Sequence, residues 1–287
     1  MQLDILPTLE PGLYPSQSEH QKEIEAYFGP SLFRELSPSE TASLRDLDIF
    51  FVLFTNRCGS TLLTEIMHQV CFGIPPRVEV FNSDLLIASS KQYDVQSFTQ
   101  YFLQAVLGWQ ENQQVGFKIG AQQLFWLTKT GLLSHFRNVR IINSKRRDTV
   151  SQAVSFYIAK QTGQWHSLMR KNSDIGKIRY SRNEILRCLH AIHDGQRLFT
   201  YYADMHSLPS LDVDYEDVLE NPDREINRIA VFLDAPELAK VPVDLAAIDI
   251  KQQRNEDNVR LLALFKQDFF WQIDGEKKWG QKKTGSE

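Results

Sequence analysis

Cysteine is scarce: Cys58, Cys71 and Cys188 are the three in 287 residues, and no Cys-x-x-Cys pair occurs. An odd, widely spaced set in a long chain excludes a disulfide scaffold and a zinc ribbon, and suits a reducing cytoplasmic setting. Long apolar runs are also missing. The most apolar stretch, 47–54 (LDIFFVLF), is far too short to cross a bilayer. The opening MQLDILPTLEPG has neither a basic head nor an apolar run, so no signal peptide is expected. There is no basic excess: Lys+Arg 32 against Asp+Glu 36 gives a net charge of −4. That excludes a protein that coats nucleic acid, which needs a positive surface, yet leaves room for one local anion site.

What is present is an ordinary globular composition, 42% hydrophobic and 24% charged, enough to bury a sizeable core. Ile49–Phe54 is a continuous, partly β-branched apolar run, as in a strand buried on both faces. The loop Thr55–Gly59 follows, and residues 60–70 carry apolar side chains at helical spacing. Further strands are expected at 114–119, 139–143 and 211–214. Helices are expected at 18–28, 37–44, 95–107, 122–133, 148–161, 183–206 and 222–233. Strands separated by helices imply an α/β fold with a mainly parallel central sheet covered on both faces. In such sheets ligands bind beyond the carboxyl ends of the strands. The chain divides into an N-terminal extension (1–46), one α/β domain (47–270) and a polar, frayed tail (271–287).

The loop after the first strand is built for an anion. Arg57 brings a cation, Gly59 permits close backbone approach, and Ser60 and Thr61 add hydroxyls at a helix start, where free amides and the helix dipole favour negative charge. Alternatively, Ser60 only caps the helix. No glycine or lysine completes GxxxxGK[ST], so an ATPase or kinase dependent on a Walker lysine is disfavoured. Cys71 and Arg77 have the cysteine–five–arginine spacing of a phosphatase loop. Pro75 and Pro76 remove two amide donors from it, and Cys71 reads instead as a small buried hydrophobe. Neither His190/His193 nor Glu65/His68 has a partner motif, and no metal site is expected.

Arg57-Cys58-Gly59-Ser60-Thr61-Leu62-Leu63, directly after a strand, resembles the 5′-phosphosulfate loop of sulfotransferases. It is closest to the trehalose sulfotransferase family, which usually has Ser where Cys58 stands. The stretch 146–156 (RRDTVSQAVSF) is similar to that family's Arg-x-Asp-x-Val-x-Gln-Ala-Val-Ser segment. It also has the more general sulfotransferase spacing of an arginine at a strand end and a serine eight positions on, here Arg147 and Ser155, a pair that would hold the 3′-phosphate of the donor nucleotide. A surface ion pair for Arg147 and a solvated Ser155 are the alternative. Tyr215, in a Tyr-Glu-Asp stretch after a strand, resembles a nucleotide contact, or else Asp214 and Glu216 simply start a helix. Arg254 resembles a late 3′-phosphate ligand.

The resemblance implies a P-loop-like sulfotransferase fold and the co-substrate 3′-phosphoadenosine-5′-phosphosulfate. Sulfuryl transfer would use Arg57 and the donors of Cys58, Gly59, Ser60 and Thr61, with no metal. Glu79 matches the position of the family's base, with apolar flanks that suit a base working near neutrality, or it is an ordinary surface carboxylate. Lys118, in a Gly-x-Lys context at a strand end, either orients the sulfonate or acceptor or is solvated. The acceptor would be a small molecule, such as a sugar, a glycolipid or a specialised metabolite of the saxitoxin type. Glu79 and Asp84 would suit a cation among these. Dimerisation occurs in this family, so the resemblance also allows a homodimer. The competing reading is a non-catalytic nucleotide-binding protein on the same fold.

Overall fold

The structure, a computed structural model, describes residues 18–169, 178–250 and 255–281, with side chains to 268. The chain forms two units, one of residues 1–147 and 194–248, the other of 148–193 and 249–287.

The first unit is built on four parallel strands, β1 (Asp48–Phe54), β2 (Gln114–Ile119), β3 (Asn138–Lys145) and β4 (Ser210–Asp214), in the order β2-β1-β3-β4. The chain leaves β1 to one side, then returns across it to the other. β1 is therefore the switch point of the sheet, where a crevice opens beyond the strand ends. The uninterrupted apolar run of β1 follows from this central place. Ile49, Phe51 and Leu53 enter one core and Phe50 and Val52 the other.

The first core is covered by α1 (Glu19–Phe28), α2 (Pro38–Arg45), α4 (Ser83–Gln92), α5 (Phe98–Trp109), α6 (Ala121–Lys129) and the end of α8 (Arg182–His206). The second is covered by α3 (Ser60–Gln69), α9 (Tyr215–Glu220) and α10 (Pro222–Phe232). The helices of the N-terminal extension supply Ile24, Phe28 and Leu44 to the first core. On the second face Gly116 leaves room for the Phe50 ring, which a Cβ would meet at 2.1 Å. In the other unit, α7 (Thr149–Thr162), the start of α8 and α11 (Glu256–Gln281) enclose Ala153, Val154, Ile185, Ile192 and Leu261.

All four expected strands form, and the expected helices form with shifted ends. The helix expected from 95 starts at Phe98 because Ser97 accepts the Gln100 amide as its cap. The one expected to reach 133 stops at Lys129, where Gly131 turns the chain with φ 75°. Helix α4 was not foreseen, since its apolar residues Leu85, Leu86 and Ile87 are consecutive rather than periodic. Within the tail expected to fray (271–287), the chain instead continues α11 to Gln281. Glu276, Lys277 and Lys278 are helix formers, and the single glycines there do not end it.

The capping box of α2 makes a local acid-sensitive lock. Glu40 accepts from the Arg34 guanidinium at 2.6 and 2.9 Å and from the Ser37 amide at 2.8 Å. Arg34 first, then the Ser37 amide, pull its carboxyl down to about 2. A carboxyl lowered by folding stabilises the fold above its unfolded value and stops doing so as pH falls through the folded one. Glu40→Gln is therefore expected to melt below the parent at neutral pH, with the gap closing between pH 4.5 and about 2. Melting curves across that range check it, and a gap independent of pH overturns it.

Candidate active site

The ends of all four strands supply the site in the first unit. After β1 the chain turns through Arg57 (φ 67°) and Gly59 (φ 97°) and enters α3. Gly59, not Ser60, caps this helix, and it does so without a side chain. Ser60 is the first helical residue and is buried. The cap reading of Ser60 is thus replaced by one in which the backbone at the start of α3 stays open, with the first-turn amides lacking intrahelical acceptors. The glycine is required twice: for its left-handed backbone and because a Cβ would lie 2.2 Å from Cδ2 of Tyr215, whose ring lies against the loop.

Cys58 is fully buried, and its Sγ–H donates to Ser144 Oγ on β3 at 3.5 Å. Its amide donates to the Thr55 carbonyl at 3.2 Å. Cys58 therefore shapes the loop from beneath, and its amide, expected to face the anion, is already engaged. Burial, and after it the neighbouring Arg146 charge, push the Arg57 guanidinium down from its usual value.

Lys118, on β2, is a buried cation, only 4% exposed. Its register opposite Val52 puts it on the α3 face of the sheet. There Nζ donates to Thr61 Oγ1 at 3.3 Å, pairs with Glu79 Oε1 at 3.3 Å and lies 5.3 Å from the centre of the Phe54 ring. The solvated-lysine reading does not hold. The immediate neighbour of the Glu79 carboxylate is this ammonium, not the apolar flanks expected from the sequence. Thr61, having accepted one bond, keeps its own proton to donate.

Glu79 is carried by a strap fixed at several points. Tyr101 Oη donates to the Val80 carbonyl at 2.7 Å, Gln123 Nε2 to the Phe81 carbonyl at 3.0 Å, and the Asn82 amide to the Glu79 carbonyl at 2.8 Å. Burial pushes the Tyr101 phenol up, so it stays a donor. Two residues before Glu79, Arg77 forms a fork with the buried Glu65 of α3. Glu65 is thus an anchor, and His68 bonds the Ile74 carbonyl through Nδ1 at 3.0 Å. Arg77 is likewise committed away from Cys71. Cys71 is exposed rather than buried, because Phe72 takes the core position after the turn at φ 67°. Desolvation of its sulfur and the Glu111 carboxylate push the thiol up, opposite to what a phosphatase nucleophile needs.

Beyond β3, Arg147 is exposed and tied to the start of α9. Its guanidinium is 2.9 Å from Asp217, 3.6 Å from Asp214 and 3.9 Å from Glu216, and its amide donates to Glu216 at 3.1 Å. Arg146 takes the other side. Its Cζ lies 5.5 Å from the centre of the Tyr215 ring, and its Nε is buried with no hydrogen-bond partner among the described residues. The structure thus brings together Arg57, Gly59, Tyr215 and Arg146, and, through Lys118, joins Thr61 to Glu79. Ser155 is a buried residue of α7 in the other unit, and Arg254 lies outside the described residues. Sequence reasoning missed Arg146 and the anchors Glu65, Tyr101 and Gln123. The family's Arg-x-Asp pattern, which falls on Arg146 and Asp148, is the signal that distinguishes Arg146 from Arg147.

Among the described residues no helix is long and apolar enough to cross a membrane, and no group of three His, Cys, Asp or Glu could hold a metal ion. A comparison with curated proteins gave no match. The profile of the Stf0 sulphotransferase family matches residues 107–268, a stretch that contains Lys118, Arg147, Ser155, Tyr215 and Arg254 and starts after the loop and Glu79. With more than half of its length matched, and a parallel sheet whose strand ends gather cations around a glycine loop, the chain belongs to the Stf0 sulphotransferase family and is a sulfotransferase.

Proposed function

We propose that the chain moves a sulfuryl group from 3′-phosphoadenosine-5′-phosphosulfate to a hydroxyl or nitrogen of a small polar acceptor, with Glu79 taking the acceptor's proton. The observation that carries this reading is the continuous link Glu79–Lys118–Thr61, which ties a carboxylate to the anion loop. The donor fits the residues present: the open start of α3 beyond the left-handed Gly59, and a buried Arg146 Nε without a hydrogen-bond partner among the described residues. When bound, the donor supplies an activated sulfur whose bond to the 5′-phosphate oxygen breaks as the acceptor's bond to sulfur forms, the electron pair staying on the phosphate.

Arg57 and the first-turn donors of α3, Ser60 and Thr61, would hold the phosphate end and meet the charge that grows there. Lys118 would orient Glu79 and Thr61 toward one another. Arg147, Ser155 and Arg254 are assigned to the 3′-phosphate, and Tyr215 to the nucleotide, by resemblance. For the acceptor we favour a neutral hydroxyl of the sugar class. The Glu79 charge already faces Lys118, which leaves the exposed Asp84 alone to attract a cationic metabolite.

Isothermal titration with 3′-phosphoadenosine 5′-phosphate tests the donor. Saturable binding is expected, and its absence overturns the reading. Unchanged binding after Arg147→Ala and Ser155→Ala together removes those two assignments. An acceptor screen that follows a mass gain of about 80 Da, that of a transferred SO3 group, identifies the substrate.

A further inference from the structure

The N-terminal extension has no part in the family resemblance, and the matched profile, 107–268, starts well after it. Its helix α1 nevertheless reaches the strap that carries Glu79. Ser83, the first residue of α4, lies at the end of that strap and is fully buried. Its hydroxyl donates to Glu23 Oε2 and lies 2.8 Å from His20 Nδ1. A serine has one proton to give. With that proton on Glu23, the imidazole must donate the second bond from Nδ1–H. His20 and Glu23 stand three residues apart on one face of α1, so both reach the same oxygen. The cap of α4 at Asn82 makes no side-chain bond, and the polar hold on this end of the helix comes from α1 instead. A second tie runs through α6. Glu25 accepts from Trp126 Nε1 at 3.0 Å, and α6 is the helix whose Gln123 holds the Phe81 carbonyl. All of these residues lie in the first unit.

We infer that α1 is a positioning element for the base: His20 and Glu23 hold Ser83, and so keep Glu79 in place against Lys118. This rests on the reading of Glu79 as the base. Ile24 and Phe28 dock α1 in the first core, but apolar contact has no direction and permits sliding. The bonds to Ser83 are directional and set the register of α1 against the strap. The remaining step to the base is short. The Asn82 amide, next to Ser83, donates to the Glu79 carbonyl at 2.8 Å, so a shift of Ser83 is passed to Glu79 through one turn. The three residues act through Glu79 and are positioning residues, of the kind that hold a reacting group within a fraction of an ångström of its working place.

The test is Ser83→Ala in the full chain, which removes the shared oxygen and leaves His20 and Glu23 where they are. Hydrogen exchange at the Asn82 amide is expected to quicken by about 10–100-fold, as for loss of a hydrogen bond to a charged group. With the acceptor found by the mass screen, kcat should fall by about 10-fold, less than the roughly 100-fold that a displacement of 1 Å can cost. Affinity for 3′-phosphoadenosine 5′-phosphate should stay within about twofold. In a Glu79→Gln background the same change should lower kcat by no more than about twofold, because no base is left to misplace. Loss by the same factor in both backgrounds is what a merely structural role gives, and it overturns the inference while leaving the base standing. Unchanged exchange at Asn82, or kcat of Ser83→Ala within about twofold of the parent, does the same. Turnover of Glu79→Gln alone within about tenfold of the parent overturns the base and the inference together. If Ser83→Ala does not fold, His20→Ala with Glu23→Ala cuts the same bonds from α1 and carries the same comparison, with the same results expected.

Discussion

Glu79→Gln is expected to lower kcat by about 10²–10⁴-fold, the usual contribution of a positioned general base, with the affinity for 3′-phosphoadenosine 5′-phosphate held within about twofold. The amide keeps the shape of the carboxylate and an oxygen for Lys118 but cannot accept the acceptor's proton. The strap that carries the residue is held by Tyr101, Gln123 and the Glu65–Arg77 fork, none of which touches the Glu79 carboxylate, so its path should survive the change. The loss should therefore appear in turnover and not in nucleotide binding. Steady-state rates with the acceptor found by the mass screen, set beside calorimetry, separate the two. Turnover within tenfold of the parent removes Glu79 as the base. Equal loss of turnover and of nucleotide affinity reassigns it to binding.

The parts of this site that the sequence made legible are those set by neighbouring residues. An apolar strand, a glycine-bearing loop and a helix start follow one another at 49–70, and local chemistry marks them as a candidate anion loop, with a plain helix cap as the alternative. The strand positions were legible for the same reason: alternation with helices and a run buried on both faces leave little choice of architecture. What could not be read depends on side chains far apart in the chain. Glu79 and Lys118 each stand out in the sequence, but their contact joins a strap after α3 to a strand that α4 and α5 precede. The commitment of Arg147 depends on carboxylates about seventy residues later, as the sequence separations of its bonds show. The burial of Cys58 against Ser144 likewise needs β3 beside β1. Spacing to Ser155 picks Arg147, whereas the family's Arg-x-Asp pattern falls on its neighbour Arg146, the one that the tertiary fold also picks out.

Lys118→Met is expected to reduce both stability and turnover, and to do so through the same pair of contacts. Methionine matches the length of the stem and keeps an apolar contact with the Phe54 ring, so the lost quantity is the charge. Removing one partner of a buried ion pair costs about 3–5 kcal/mol. The low end applies here, because the Glu79 side chain is 29% exposed and can be partly rehydrated. Turnover should fall by about 10²-fold, the effect of losing one preorganised donor, as Thr61 loses its donor and Glu79 its anchor. Combination with Glu79→Gln separates anchoring from direct action. With the carboxylate neutralised, the methionine no longer strands a charge, so the double variant should be more stable than the two single losses predict, by about 1–3 kcal/mol. Denaturant unfolding of the four proteins checks this, and simple additivity overturns the pairing. If Lys118 acts only by holding Glu79, the double variant turns over no more slowly than Glu79→Gln. A further drop of about tenfold assigns Lys118 a direct contact with the transferred group or the acceptor.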